Sequence, residues 1–189
     1  MFRRTGKPDE ISFETQLFDA QDRLITCLRG KGVIFRNRNF EKWREGSKSK
    51  ASTVRKEPSG FTYATWAQLG LSEAEPPLLS PLTEDQGALS TTALITKDNG
   101  LVPGHPFFTG SGDHVNAPHL AEVGRQCVSL INDGAPLIIA HAEMDMHRYI
   151  ELGTPIAVTI ERRDEQRANL AISQLGRSCA TITMSWAFL

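Results

Sequence analysis

The sequence of 189 residues predicts an α+β fold, in which an antiparallel sheet wraps around one long central helix. The first observation is one strong helix candidate, residues 118–132, with Asn116 as a plausible N-cap and proline in its first turn. The second is its setting, with one strand candidate before it, residues 89–97, and several after it. One strand, one helix and an antiparallel meander make an α+β plan.

Four strand candidates follow the helix, joined by short turns that contain glycine or acidic residues. They are residues 137–149, 155–163, 168–174 and 178–188. Apolar and polar residues alternate in the second and the last of them, as expected when one face of a sheet is buried. The hotdog fold, in which a sheet wraps around a central helix, satisfies this order. We therefore predict a hotdog domain over residues 61–189, with its core at about 89–189.

The first 60 residues predict an N-terminal β-hairpin and a basic linker. Strand candidates at 11–18 and 24–35 flank a polar turn, and Gly30 and Gly32 suggest a bulge in the second strand. Residues 39–45 can form a short helix, and residues 46–59 have the composition of a linker. Residues 69–87 are expected to be irregular. The hairpin is either an N-terminal extension or the remnant of a second hotdog repeat.

Composition excludes few classes of function. The net charge of −1 gives no reason to expect nucleic-acid binding. Three cysteines, Cys27, Cys127 and Cys179, lie far apart without metal-ligand spacing, and His141 and His147 lack matched carboxylates. No stretch approaches the ~18 apolar residues of a membrane helix. We predict a cytoplasmic protein that does not bind membranes and carries neither metal nor cofactor.

The helix has two faces of different character at ~100° per residue. The apolar stripe consists of Leu120, Val123, Cys127, Leu130 and Ile131, and Gly124 beside it permits close approach of the sheet. The opposite side carries His119, Glu122, Arg125, Gln126 and Ser129. Two interpretations remain open for this polar side: a solvated face with a Glu122–Arg125 pair, or a site covered by another chain or domain.

Short motifs around this helix resemble those of the A-factor biosynthesis hotdog family. They are His105-Pro106-Phe107-Phe108, Asp113-His114, Glu122 with Arg125-Gln126, and Arg148-Tyr149 with Glu151-Leu152. Their order and spacing agree with that family over about half of the chain. The sequence departs from the family at Asn116-Ala117, where Pro-Gly is usual, and at Pro118-His119, where the family is apolar. It also has room for only one complete repeat.

The resemblance implies an enzyme that joins a β-ketoacyl group, carried on an acyl carrier protein or coenzyme A, to a small hydroxylated acceptor. Glu122, Arg125 and His114 are the implied catalytic residues; Gln126, His119, Asp113 and Asn116 are the candidates for substrate binding. Glu122 can act as a general base, and Arg125 can orient it or bind a phosphate. These two roles of Arg125 conflict, since a tightly paired Arg125 makes Glu122 a weaker base, whereas an Arg125 that binds the substrate frees the carboxylate to act as the base.

Each polar residue also has a structural interpretation. His114 can cap backbone groups instead of taking part in catalysis, and His119 is expected at the surface. Cys127 is expected in the core, because it falls on the apolar stripe. Basic residues between 36 and 56 are either a solvated segment or a docking patch for an acidic carrier protein.

Two further functions compete with acyl transfer. One is a hydroxyacyl-thioester dehydratase or isomerase that uses His114 and Glu122 as its acid/base pair. The other is a non-catalytic acyl-binding or assembly subunit, which the departures at residues 116–119 favour. Because hotdog domains usually pair through their sheets, we also predict a homodimer.

Overall fold

The computed structural model describes residues 9–34, 40–100 and 114–189. The predicted loop at 102–113, which includes Asp113, lies outside these residues. The chain divides into two compact units, Met1–Gly46 and Ser47–Leu189. No helix of the described ranges is long and apolar enough to cross a membrane.

The first unit contains the predicted hairpin. Strand β1 (Asp9–Phe18) pairs antiparallel with β2 (Leu24–Ile34) in a two-stranded sheet, which confirms the prediction. The predicted bulge at Gly30 and Gly32 is wrong, because Gly30 pairs with Phe13 in regular register and the irregularity lies at Leu17/Phe18.

Helix α1 (Phe40–Ser52) begins where the short helix was predicted but continues into the predicted linker. Its second half, from Gly46 on, has Ala51 as its one apolar residue, yet lysine and alanine are good helix formers and one glycine costs only ~1 kcal/mol. Burial contributes as well, since Ala51 is buried and Ser47 Oγ donates to Glu151 Oε1 at 2.8 Å. The linker prediction therefore fails for residues 46–52.

In its described residues, the second unit contains one long helix and six strands. The helix is α2 (Ala117–Leu130), and a single 3-10 turn spans Pro58–Gly60. The strands are β3 (Thr83–Asp85), β4 (Ala88–Ala93), β5 (Leu137–Met146), β6 (Ile156–Asp164), β7 (Arg167–Gln174) and β8 (Arg177–Phe188). Apart from the short β3, each strand coincides with a predicted one to within a few residues.

The strands form one antiparallel sheet in the order β3-β4-β6-β7-β8-β5. Strand β4, which precedes the helix in sequence, is thus followed across the sheet by β6, β7 and β8. Strand β5, which directly follows the helix in sequence, forms the edge of the sheet next to β8. Buried residues alternate along β7 and β8, and this inner face packs against α2 in one core. This is the hotdog arrangement, and it confirms the predicted α+β fold class.

The apolar stripe of α2 lies in that core as predicted, with Leu120, Val123 and Cys127 fully buried. Gly124 lies where the helix packs closely against the sheet. A Cβ atom there would lie 2.5 Å from Met184 Cε and 3.6 Å from Ile182 Cγ2. The missing side chain lets α2 approach β8, as the sequence predicted.

Residues 61–79, which we call the covering segment, supply core residues and pack against the other side of α2. Leu69, Leu78 and Leu79 are buried within the core cluster. The glycine after α2, Gly134, has a φ of +72°, and a Cβ atom there would collide with the Ala67 carbonyl. The segment is irregular, as the sequence suggested for residues 69–87, but it is closely packed.

Candidate functional site

Helix α2 carries two groups of polar side chains, one along its outer side and one at its N-terminus. The outer group contains Glu122, Arg125 and Gln126, which the sequence had placed on one side of the helix. The N-terminal group contains His114, Asn116 and His119. The two groups have different surroundings, and these decide what each can do.

Glu122 and Arg125 form a two-point ion pair along the helix. Arg125 Nε donates to Glu122 Oε2 at 2.9 Å and Nη2 donates to Oε1 at 2.7 Å. The hydrogen bonding of Arg125 to the Glu122 carboxylate is the first cause that raises the pKa of Arg125. Both side chains are partly accessible, at 34% and 29%, so the pair itself contributes at most ~1 kcal/mol.

Gln126 ties this pair to the covering segment. Its Nε2 donates to Glu122 Oε1 at 2.9 Å and to the Pro76 carbonyl at 3.1 Å. Its Oε1 accepts from the Leu78 N–H at 2.8 Å. The side chain is fully buried. A predicted substrate-binding amide is therefore engaged by the backbone of its own chain.

Glu75 approaches the pair from the covering segment. Its Oε1 lies 3.6 Å from Arg125 Nη2, and its Oε2 accepts from both the N–H and the Oγ of Ser72 at 2.9 Å. The backbone hydrogen bond from Ser72 is the main cause that lowers the pKa of Glu75. No sequence pattern pointed to Glu75, because it lies in an irregular stretch 50 residues before Arg125.

The two interpretations of the polar side are thus both incomplete. Gln126, Ser129 and His119 are buried, so the side is not a solvated face. The cover comes from residues 61–79 of the same chain, whereas the functional interpretation called for another chain or domain. Three donor atoms hold the Glu122 carboxylate, which suits a structural or positioning role better than proton transfer.

The N-terminal group begins at His114, which precedes the helix. Its ring meets Tyr149 edge-on, with centroids 4.9 Å apart and an interplanar angle of 68°. A backbone bridge between Val115 and Ile150 holds the two segments side by side, and the Val115 N–H donates to the Ile150 carbonyl at 2.9 Å. Tyr149 was part of the family-like stretch but was not assigned to the site.

Asn116 is the N-cap of α2, as predicted, with an extended backbone. Its N–H donates to His119 Nδ1 at 3.2 Å, so His119 occupies the N3 position of a capping box, where Glu or Gln is usual. This contact makes Nδ1 an acceptor and leaves the proton of a neutral ring on Nε2. The departure from the family at residues 118–119 therefore has a local structural function.

The expected surface position of His119 is wrong, since the side chain is only 8% exposed. Burial is the main cause that lowers its pKa, and repulsion from His114 adds to it. The imidazole is consequently neutral near pH 7. Its Nε2 lies toward Gly100, where a Cβ atom would come within 3.1 Å of it.

The described cysteine and histidine residues outside these two groups lie in the core or at the surface. Cys127 is in the core as predicted, and burial raises the pKa of its thiol to about 12. His141 and His147 are both exposed, and His147 lies beyond the end of β5, near Ser178 Oγ at 3.1 Å. In the described residues, no three His, Cys, Asp or Glu side chains form a group that could hold a metal ion.

No protein-family model matches the chain, and no curated protein matches it by sequence. Solved structures with a similar chain trace include the E. coli PaaI protein from the phenylacetic acid degradation operon, with 13% identity and a TM-score of 0.40 over 57% of this chain and 78% of that one. The thioesterase superfamily protein RHA08564 has 16% identity and a TM-score of 0.43, over 80% and 84%.

A third is smu.793 from Streptococcus mutans UA159, solved with acetyl CoA bound. It has 7% identity and a TM-score of 0.41, over 58% of this chain and 87% of that one. Because these scores are low, the fold assignment rests on the strand order and on the position of α2.

Proposed function

We propose that the chain processes an acyl thioester, and that it transfers or condenses a β-ketoacyl group from an acyl carrier protein or coenzyme A onto a small hydroxylated acceptor. The observation that carries the proposal is the group at the N-terminus of the central helix, where His114, Tyr149, Asn116 and His119 converge. His114 and Tyr149, which belong to two of the family-like motifs, are in contact there.

The proposed acyl transfer uses the N-terminal end of α2. The positive end of the α2 dipole favours the negative charge that develops on a thioester oxygen under attack. His114, oriented by Tyr149, takes the proton of the acceptor hydroxyl while the hydroxyl oxygen bonds to the thioester carbonyl carbon. The carbon–sulfur bond then breaks, and the proton passes to the leaving thiolate.

The neutral state of His119 suits this chemistry. If His119 were a buried imidazolium, its positive charge would lie close to His114 and would oppose the transfer of a proton to His114. Asn116 and His119 then shape the helix entry, and the substrate-binding role of Asp113 remains part of the proposal. The Glu122–Arg125 pair serves as a positioning element, because its hydrogen bonds fix α2 against the covering segment.

A non-catalytic acyl-binding subunit is the second candidate. The contacts of Glu122 with Arg125 and Gln126 favour it, because they occupy the carboxylate that the resemblance implies as catalytic. The same contacts disfavour the dehydratase alternative, which needs Glu122 as one half of an acid/base pair.

Mass spectrometry can separate these functions. The protein is incubated with β-ketoacyl and hydroxyacyl thioesters of carrier protein and of coenzyme A, together with a hydroxylated phosphate ester. A transferred acyl group supports the proposal, water loss supports a dehydratase, and binding without conversion supports the second candidate. Failure to bind any thioester would reject all three.

The site is tested by His114→Gln, which removes the proposed base. We expect transfer to fall by about 10²–10⁴-fold, the usual contribution of general base catalysis. His147→Gln is the matched control, since His147 is exposed and lies outside the helix N-terminus. Equal activity of His114→Gln and wild type would refute the assigned role.

The proposal includes a homodimer formed through β5. This strand ends the sheet, so its outer edge pairs with no other strand of the described residues. It also exposes apolar surface, with Ile138 at 52% and Met146 at 37%. Two-fold antiparallel pairing centred on Ala142 would set each His141 opposite Glu143 of the second copy, a favourable cross-strand pair.

Ala142→Lys tests this edge, because it places two like charges opposite each other at the axis. We expect weaker association in sedimentation equilibrium. Thr181→Lys is the control, since Thr181 is also exposed but lies on the interior strand β8. Unchanged association of Ala142→Lys would remove the β5 interface from the proposal.

A further inference from the structure

The turn that follows β4, residues 94–100, contacts both the covering segment and the N-terminal group of α2. The Leu94 N–H donates to the Leu78 carbonyl of the covering segment at 2.9 Å. At the other end of the turn, a Cβ atom on Gly100 would lie 3.1 Å from His119 Nε2. The turn thus brings part of the covering segment close to the proposed acyl-transfer site.

Asn99 of this turn makes four side-chain hydrogen bonds. Its Oδ1 accepts from the Thr96 N–H at 2.7 Å and from Thr96 Oγ1 at 3.0 Å. Its Nδ2 donates to the Leu94 carbonyl at 2.9 Å and to the Tyr63 hydroxyl at 3.0 Å. Because a backbone N–H can only donate and a carbonyl can only accept, these contacts fix the direction in which the Asn99 amide faces.

The orientation of this amide determines the role of the Tyr63 hydroxyl. Asn99 Nδ2 is a donor, so the hydroxyl oxygen is the acceptor in their contact. The hydroxyl hydrogen therefore points away from Asn99, and no group of the described residues accepts it. The side chain of Tyr63 is partly exposed, so this hydrogen is available to a bound molecule.

The Tyr63 hydroxyl is also held in place and neutral. The ring of Phe61 meets the Tyr63 ring edge-on, with centroids 4.7 Å apart and an interplanar angle of 63°. The N–H of the next residue, Ala64, donates to the Leu79 carbonyl at 2.8 Å. Burial raises the pKa of Tyr63, so the hydroxyl keeps its hydrogen at neutral pH. A preorganised neutral donor of this kind suits an uncharged acceptor oxygen.

We infer that the Tyr63 hydroxyl donates to the β-keto oxygen of the acyl group, and so selects β-ketoacyl thioesters over unsubstituted acyl thioesters. This inference rests on the proposed function, which sets the thioester carbonyl at the N-terminus of α2. One methylene group separates the keto carbon from the thioester carbonyl carbon, so the keto oxygen needs a donor beside the helix end. The Asn99 side chain and one peptide bond connect the Tyr63 contact to Gly100, which lies next to His119.

Kinetics with two thioesters tests this role of Tyr63. A β-ketoacyl coenzyme A and the unsubstituted acyl coenzyme A of the same length are compared in the transfer assay, for the wild type and for Tyr63→Phe. We expect kcat/KM for the β-ketoacyl thioester to fall by roughly 10-fold, the effect of one hydrogen bond, mainly through KM. The value for the unsubstituted thioester should stay unchanged, because that thioester has no keto oxygen to lose its donor.

Thr65→Val is the matched control for Tyr63→Phe. It also removes a hydroxyl from the covering segment, but Thr65 Oγ1 donates to Gln68 Oε1 at 2.9 Å. We expect this control to leave the preference for the β-ketoacyl thioester unchanged. An equal loss of preference in both variants, or a loss of activity in Tyr63→Phe that is the same for both thioesters, would overturn the inference. Calorimetric dissociation constants for the two thioesters give the same comparison without turnover.

A second variant engages the hydroxyl without removing it. Asn99→Asp keeps an oxygen for Thr96 but replaces the Nδ2 donor with a carboxylate oxygen, to which the Tyr63 hydroxyl would donate. We expect the preference for the β-ketoacyl thioester to fall as it does in Tyr63→Phe. Unchanged preference in Tyr63→Phe would overturn the inference and leave the proposed function intact, provided that the wild type transfers the acyl group. A wild type that binds no thioester would overturn both.

Discussion

Replacing Gln126 with Met tests whether the outer side of α2 is held by its own chain. The substitution keeps the length of the side chain and removes all three of its hydrogen bonds, to Leu78, Pro76 and Glu122. The two hydrogen bonds that Nε2 donates cost about 1 kcal/mol each, and the Leu78 N–H, left buried without an acceptor, costs ~1–3 kcal/mol. Leu78 is itself 3% exposed, so its N–H has little access to water.

The apolar surface of Met offsets about 1 kcal/mol of this loss, at roughly 25 cal/mol per Å² buried. We therefore expect the free energy of unfolding to fall by about 2–4 kcal/mol. Urea denaturation followed by circular dichroism gives this number, provided that the slope with denaturant stays constant. Hydrogen exchange at the Leu78 amide gives a local readout, and should become faster.

Arg125→Met is the matched control for Gln126→Met. Arg125 lies beside Gln126 on the helix and also contacts Glu122, but its side chain is 29% exposed. We expect a loss of no more than ~1 kcal/mol, as for other accessible ion pairs. Equal effects of the two substitutions, or a loss below ~0.5 kcal/mol for Gln126→Met, would refute the view that Gln126 anchors the covering segment.

Three further predictions concern single positions. Because the pKa of His119 is lowered in the folded state, the unfolded state binds a proton first as the pH falls below ~6.5, and the free energy of unfolding should decrease there. The substitution His119→Gln, whose side chain suits the N3 position, should weaken that decrease. Denaturation measured at several pH values gives the comparison. Gly134→Ala should destabilise by at least ~1–3 kcal/mol in the same assay, because of the positive φ and the Ala67 carbonyl, and a neutral effect would contradict this packing. The thiol of Cys127, with a pKa of about 12, should not react with a thiol reagent in the native protein while Cys27 does, and equal rates would contradict its burial.

The helix and the meander were predictable because their signals are local. The stripe that includes Leu120, Val123 and Cys127 repeats at the helical period, and β7 and β8 alternate at the period of a strand. Asn116 and Gly134 mark the helix limits with residues that suit a cap and a positive φ. Each of these features is determined within a few residues of sequence.

The errors have a common origin in packing between distant residues. Gly30 suggested a bulge, but it is opposite Phe13, whose ring needs the space. Residues 46–52 have the composition of a linker, but Ser47 meets Glu151, more than 100 residues away. In both cases the partner that explains the residue lies on another strand or segment, which periodicity cannot reveal.

In the candidate site, too, the local contacts were predictable from the sequence and the contacts with distant residues were not. The spacing of Glu122, Arg125 and Gln126 correctly placed them together on the helix, because i,i+3 and i,i+4 neighbours always meet. What surrounds them depends on residues 61–79, which have no periodicity and therefore no sequence signature. The sequence thus predicted which residues meet along the helix, but not that the chain itself would engage Gln126.

The contacts of the covering segment with α2 bear on which residue can act as the general base. The covering segment engages Gln126 through its own backbone, and Glu122 already accepts three hydrogen bonds. A substrate that used Glu122 as its base would have to displace bonds that also stabilise the fold. His114 lies outside the helix, and its ring contacts Tyr149 edge-on. Loss of transfer in His114→Gln, with transfer retained in Glu122→Gln, is the combination that this reasoning requires.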